Sequence, residues 1–145
     1  MKKNNKGFTL IELLAVIVVL AVIMVIATTQ INRTIKKSRA NTFYDSVLMI
    51  EKHAKMVCAQ DNSMSKETIA AITDYNTAEY DFTVSGNDIT VTPTADGKFD
   101  NVKFTDYYYS GNTAVSGKEK AKSNVTVSDG SMTILNPCGT TTSTQ

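Results

Sequence analysis

One carboxylate, Glu12, lies inside an apolar run that extends from Phe8 to Ala27. An ionised side chain in hydrocarbon costs about 3 kcal/mol even on insertion scales, so an acid placed there reads as a group kept for its chemistry. The chemistry that would repay it is pairing with a cation; the plain alternative is a charge tolerated close to the interface. Cys58 and Cys138 are too few for a disulfide framework and lack metal-ligand spacing with the lone His53, so they allow one bridge. The stretch from Thr94 to Asp100 holds acids and a glycine but lacks the carboxylate density of an EF-hand loop. His53 sits on a presumed helix with no catalytic motif around it, as an ordinary surface or packing histidine. No nucleophile, base and orienting group can be assembled. Neither catalytic residue, metal nor cofactor is expected.

The elements that must carry these residues follow from length and patterning. In 145 residues there is one long apolar run, which suggests a single small globular unit attached to one membrane-length segment. Phe8 to Ala27 spans a hydrocarbon core about 30 Å thick at roughly 1.5 Å per residue, and it exceeds an ordinary signal-peptide apolar region. Small and aliphatic residues at Val25-Ile26-Ala27 keep a competing reading open, a secreted binding module with a conventional signal cut after Ala27. Lys2, Lys3 and Lys6 precede the segment, while Arg33, Lys36, Lys37 and Arg39 follow it, so charge alone leaves orientation undecided. The formal net charge is +1, and the later lysines are interleaved with acids, which argues against a nucleic-acid surface.

Beyond the membrane, Ile31, Ile35, Phe43, Val47, Ile50, Ala54 and Val57 recur mostly at three- and four-residue steps, so the helix is expected to continue to about Cys58 and to bury that stripe. A coiled-coil stalk is the alternative, although the pattern lapses from Ser38 to Asn41. Asp61-Asn62-Ser63 should end the rod, and a short helix could follow with Ser65 as cap, Glu67 in its first turn, and Ile69 and Ile72 inward. From Tyr80 the period changes to two. Phe82 and Val84, then Ile89 and Val91, flank Gly86-Asn87-Asp88 as one hairpin; Val125 and Val127, then Met132 and Ile134, flank Asp129-Gly130 as a second. Val102 to Tyr109 is expected as a fifth strand, with Tyr107, Tyr108 and Tyr109 alternating between core and interface. Ser110 to Ser123, containing Lys118-Glu119-Lys120-Ala121-Lys122, reads as an exposed loop with a solvated charge run, and Thr140 to Gln145 as a disordered tail. The fold class is α+β: a long N-terminal helix, its first half in the membrane and its second half packed on an antiparallel sheet.

Lys6-Gly7-Phe8-Thr9-Leu10-Ile11-Glu12, followed by an unbroken apolar run, resembles the prepilin signature of type IV pilins and pseudopilins. The resemblance covers the first thirty residues closely and the remainder only in plan. It implies a leader at 1–7, a cut between Gly7 and Phe8 by prepilin peptidase, N-methylation of Phe8, a helix over 8–60 with 8–27 in the membrane and then in a filament core, and a head over 61–145. Further implied are self-assembly with the same or other pilins, an assembly platform protein, residence in the cytoplasmic membrane with the head outside, and finally an extracellular filament. A pilus subunit is the first reading; a pseudopilin of a type II secretion or DNA-uptake machine is the second. The cut would create a protonatable amine at Phe8, four residues from Glu12, so a neighbouring helix shifted along the axis could set its amine against this acid. Two unit charges 4 Å apart attract by about 4 kcal/mol at an effective dielectric of 20, comparable to the insertion cost of the acid. An intramolecular pair would specify nothing. With both cysteines outside the membrane, a Cys58–Cys138 disulfide is expected, two buried free thiols being the alternative. The sequence departs from many type IV pilins at Thr29, which stands where a proline is common; Gly and Pro are absent from Phe8 to Val84, so nothing covalent forces a kink.

Overall fold

The computed structural model describes residues 7–61, 78–111 and 116–139. The expected short helix from Ser65 and the tail from Thr140 lie outside the described residues. Helix α1 runs unbroken from Leu10 to Asp61, 52 residues without Gly or Pro. The hydroxyls of Thr28 and Thr29 bond back to the carbonyls of Met24 and Ile26 at 2.7 and 2.9 Å, so the polar side chains beyond the apolar run are satisfied on the helix itself. The chain divides into two compact units, Met1–Lys36 and Lys37–Gln145.

In the first unit every described residue is exposed, including Ile31 and Ile35, which were expected on the buried stripe. The stripe that is covered belongs to the second unit and starts at Ala40. Ala40, Phe43, Val47, Ile50 and Ala54 are fully buried and Val57 nearly so. They pack on β1 (Tyr80–Ser85), β2 (Asp88–Pro93), β5 (Val125–Val127) and β6 (Met132–Ile134), which form one antiparallel sheet in the order β1-β2-β6-β5. Both expected hairpins are present. Ser85 pairs with Asp88 across a two-residue turn in which Gly86 has φ 61°, a conformation that costs a side chain without Cβ little. Val127 pairs with Met132 across the Asp129-Gly130 turn. The inward positions are Tyr80, Phe82, Ile89, Val91, Val125, Val127, Met132 and Ile134, all buried. On the other face Thr83, Thr90, Thr133 and Thr126 sit side by side across the four strands, and the hydroxyls of Thr90 and Thr133 are 3.0 Å apart.

Val102 to Tyr109 is not a fifth strand of this sheet. Phe104–Asp106 is a 3-10 turn, and only Tyr108–Tyr109, β3, is extended; it pairs in parallel with β4, Glu119–Lys120. The reason lies in the core: Phe104 and Tyr108, four residues apart, are both buried, a spacing that a turn satisfies and a strand would too, but Phe104 stacks on Phe43 at 4.4 Å and its N–H donates to the Asp129 carbonyl at 3.1 Å. Those contacts draw the backbone over the second hairpin's turn. The charged run after Gly117 is likewise more fixed than a free loop. Its charges are mostly exposed, yet Ala121 is buried, the Lys122 N–H donates to the Tyr44 hydroxyl at 2.9 Å, and Glu119 lies 3.8 Å from Lys37. Phe99, within the acid-containing stretch from Thr94, serves the core by an edge contact with Phe43 at 5.5 Å. Cys58 and Cys138 form a disulfide with Cα atoms 5.4 Å apart. It closes a loop of 80 residues, worth about 4.5 kcal/mol on the chain-entropy account.

Candidate functional site

The start of α1 is built from three residues. Thr9 precedes the first helical residue, Leu10, and Glu12 lies in the first turn. The Thr9 N–H and its hydroxyl both donate to Glu12 Oε2, at 3.0 and 2.9 Å, while the Glu12 N–H points back to Thr9 Oγ1 at 3.4 Å. This reciprocal arrangement is a capping box, which satisfies backbone donors that no preceding turn can reach. In hydrocarbon, where no water substitutes, those donors matter more. The signal for it was in the sequence: Thr9-x-x-Glu12 ahead of an apolar run is the capping-box pattern, so Thr9 belongs to the site although charge reasoning alone pointed only to Glu12.

Phe8 stands just before the helix rather than on it, yet it lines the same open groove as Glu12, together with Leu13, Ala15 and Val16, about 550 Å³ in volume. Phe8 is 88 % exposed. Among the described residues nothing lies within 4 Å of where a Gly7 side chain would begin. The helix behind this site is long and apolar enough to cross a membrane, and its apolar window is wholly unburied. An exposed face of leucine, isoleucine and valine this extensive marks an interaction surface.

Residues 2–28 match the family model for the prokaryotic N-terminal methylation motif. The chain carries the type IV pilin and pseudopilin signature. No curated protein and no solved structure matches it. The motif therefore stands on a chain whose head is supported by its own geometry alone: one long apolar N-terminal helix followed by a four-stranded antiparallel sheet, the pilin-like α+β plan.

The other residues considered for chemistry are dispersed. His53 is half-buried on α1, and its Nδ1 finds no hydrogen-bond partner among the described residues. Among the described residues no three His, Cys, Asp or Glu side chains gather around one point. Glu51 is buried and accepts from the Lys55 ammonium at 2.6 Å, an ion pair whose lysine end is exposed at the head's surface. The tyrosines serve packing. Tyr108 is buried, donates to Asn41 Oδ1 at 2.8 Å and stacks near Tyr44 at 4.6 Å. Burial pushes the hydroxyl pKa of both tyrosines up.

Proposed function

We propose that the chain is a structural subunit of a type IV pilus or pilus-like filament, made as a membrane-anchored precursor, cut between Gly7 and Phe8 by prepilin peptidase, methylated on the Phe8 nitrogen, and assembled through its apolar helix with the head outward. The observation that carries this is the exposed apolar run from Phe8 to Ala27, whose sole acid, Glu12, lies beside Phe8 inside the methylation motif. Function is then mechanical and surface-presenting, and the chain is a substrate of enzymes.

The capping box defines what Glu12 does at each stage. Its donors come from Thr9, downstream of the cut bond, so processing leaves them in place. A waiting subunit thus holds its acid partnered. A neighbour's amine 4 Å away would contribute about 4 kcal/mol at an effective dielectric of 20, whereas a helix cap is worth about 1 kcal/mol. Before desolvation is subtracted, the intermolecular attraction is the larger of the two, and an assembly platform protein would bring the partners together.

Mass spectrometry of the mature amino terminus tests the reading: methylated Phe8 is expected. Gly7→Val should leave an uncut membrane precursor, an effect expected at the peptidase, since nothing among the described residues crowds Gly7. A mature chain beginning at Thr28 would replace this reading with a secreted module. Abundant chain in sheared surface filaments distinguishes a pilus subunit from a pseudopilin of a secretion or DNA-uptake machine.

A further inference from the structure

Cys138 lies beyond β6, in a tight turn of its own. The turn is Asn136-Pro137-Cys138-Gly139, closed by the Gly139 N–H donating to the Asn136 carbonyl at 3.0 Å. Its residue types suit that shape, because proline presets the second position and a β-turn favours asparagine first and glycine last. Asn136 has φ 42°, a left-handed conformation that asparagine tolerates better than most residues. Gly139 leaves no room for a side chain, since a Cβ there would meet the Asn136 side-chain amide. The turn is also tied to the first hairpin. The Asn136 N–H donates to Asp88 Oδ1 at 2.8 Å, and the Asn87 side-chain amide donates to Asn136 Oδ1 at 3.1 Å. Asn87 belongs to the turn between β1 and β2, and Asp88 opens β2. One of these bonds is charge-assisted and the other neutral, and both cross more than forty residues of chain.

Cys58, on α1, has its Cα 5.4 Å from that of Cys138, inside the range a bridge requires. Neither tie to the first hairpin involves a sulfur atom, so both can form while the thiols are reduced. We propose that Asn87 and Asp88 latch the Asn136–Gly139 turn and thereby make closure of the Cys58–Cys138 bridge conditional on a finished first hairpin. The step is thiol–disulfide exchange with a small-molecule disulfide as oxidant. One cysteine thiolate attacks it and expels a thiolate, the second cysteine thiolate attacks the mixed disulfide and expels the other, and the two cysteine protons end on the two departing thiols. The oxidant is reduced and the chain oxidised by two electrons. Without the first hairpin Cys138 has no such support, and Cys58 meets it only as often as the closing of a free loop of 80 residues allows.

The full chain in detergent micelles, equilibrated with reduced and oxidised glutathione, tests this. The bridged fraction, read by a maleimide gel shift, gives the effective concentration of one thiol at the other. Asp88→Ala removes the charged acceptor and should lower that concentration about tenfold, the worth of one hydrogen bond to a charged group. Asp88→Asn keeps an acceptor oxygen and should fall less. Tyr108→Phe weakens the head away from the latch, at the bond to Asn41, and should leave the value unchanged. Three results overturn the proposal: a parent whose effective concentration matches that of the same chain in urea, an Asp88→Ala variant equal to the parent, or a Tyr108→Phe variant that falls as far as Asp88→Ala. The last would show that the bridge follows the overall stability of the head rather than this contact.

Discussion

Ile23 and Ile50 are the same side chain on the same helix, yet Ile23 is 56 % exposed and Ile50 is fully buried. Around Ile50 the helix is finished: Phe43 touches the rings of Tyr80, Phe99 and Phe104, the sheet covers the stripe, and the disulfide closes the chain ends of the head onto each other. Around Ile23 the helix has satisfied its backbone but not its side chains. The comparison shows that an α-helix needs no partner to close its hydrogen bonds, but an apolar helix needs one to leave water. The head finds that partner within its own chain. On the proposed function the anchor finds it in lipid first and in other copies afterwards.

The largest effect should come from the anchor's one charge. Glu12→Val removes an insertion cost of about 3 kcal/mol, so the precursor should insert at least as well as the parent and be cut normally, while filaments fail to form. Thr9→Val removes the capping hydroxyl and leaves the acid. Thr9→Val keeps the backbone N–H bond to the acid but loses both hydroxyl bonds of the box, so a capping role alone predicts that it loses a substantial part of assembly, whereas pairing with a neighbour's amine predicts that it retains most of it. Electron microscopy of sheared filaments, with immunoblots of processed membrane protein, decides between them.

A matched pair of truncations then tests whether the two halves are energetically independent. Phe43→Ala should cost the head about 3–5 kcal/mol, because the ring is fully buried among three others. Ile23→Ala should leave the head's denaturant midpoint unmoved. A shift from Ile23→Ala comparable to that from Phe43→Ala would show that the anchor supports the head and that the contrast drawn here is wrong.

The smallest effect concerns Tyr108. Replacing it with Phe loses the bond to Asn41 and about 1 kcal/mol. It also changes the alkaline limit. The folded head holds Tyr44 and Tyr108 protonated where an unfolded chain releases both protons near pH 10, so their contribution is intact below that pH and is lost as pH rises through the raised values. Tyr108→Phe should make that alkaline loss shallower. Urea midpoints taken from pH 8 to 11.5 check it; an unchanged slope would mean that Tyr108 is not the group responsible.

Much of this molecule was legible from local pattern. Unbroken apolar residues from Phe8 to Ala27, freedom from Gly and Pro, and strict alternation around two turn sequences identify a membrane-length helix and two hairpins, because each of those features acts through neighbours in the chain. Where the reading fell short, the deciding contacts were distant. Ile31 and Ile35 continue the same periodicity as Phe43 and Val47, and no local rule says that the sheet's cover begins only at Ala40. Val102 to Tyr109 has the composition of a strand, but Phe104 follows Phe43 rather than a ladder. Thr9 differs in kind: its capping pattern is local, but the cost of a carboxylate in hydrocarbon points to Glu12 alone and says nothing of the hydroxyl that partners it.

The sequence alone therefore determined an apolar helix of membrane length, the methylation motif, the acid in the first turn and the two hairpins, all consequences of patterns local to the chain. Tertiary structure decided which part of one long periodic stripe is buried, how the two hairpins join through β2 and β6, and how the segment between them folds over Phe43. Only the tertiary structure also showed that Cys58 and Cys138, 80 residues apart, come within 5.4 Å between Cα atoms. The physical reason is that burial is a property of surfaces brought together across the chain, and a residue's own neighbours carry the tendency to be buried without naming what will cover it.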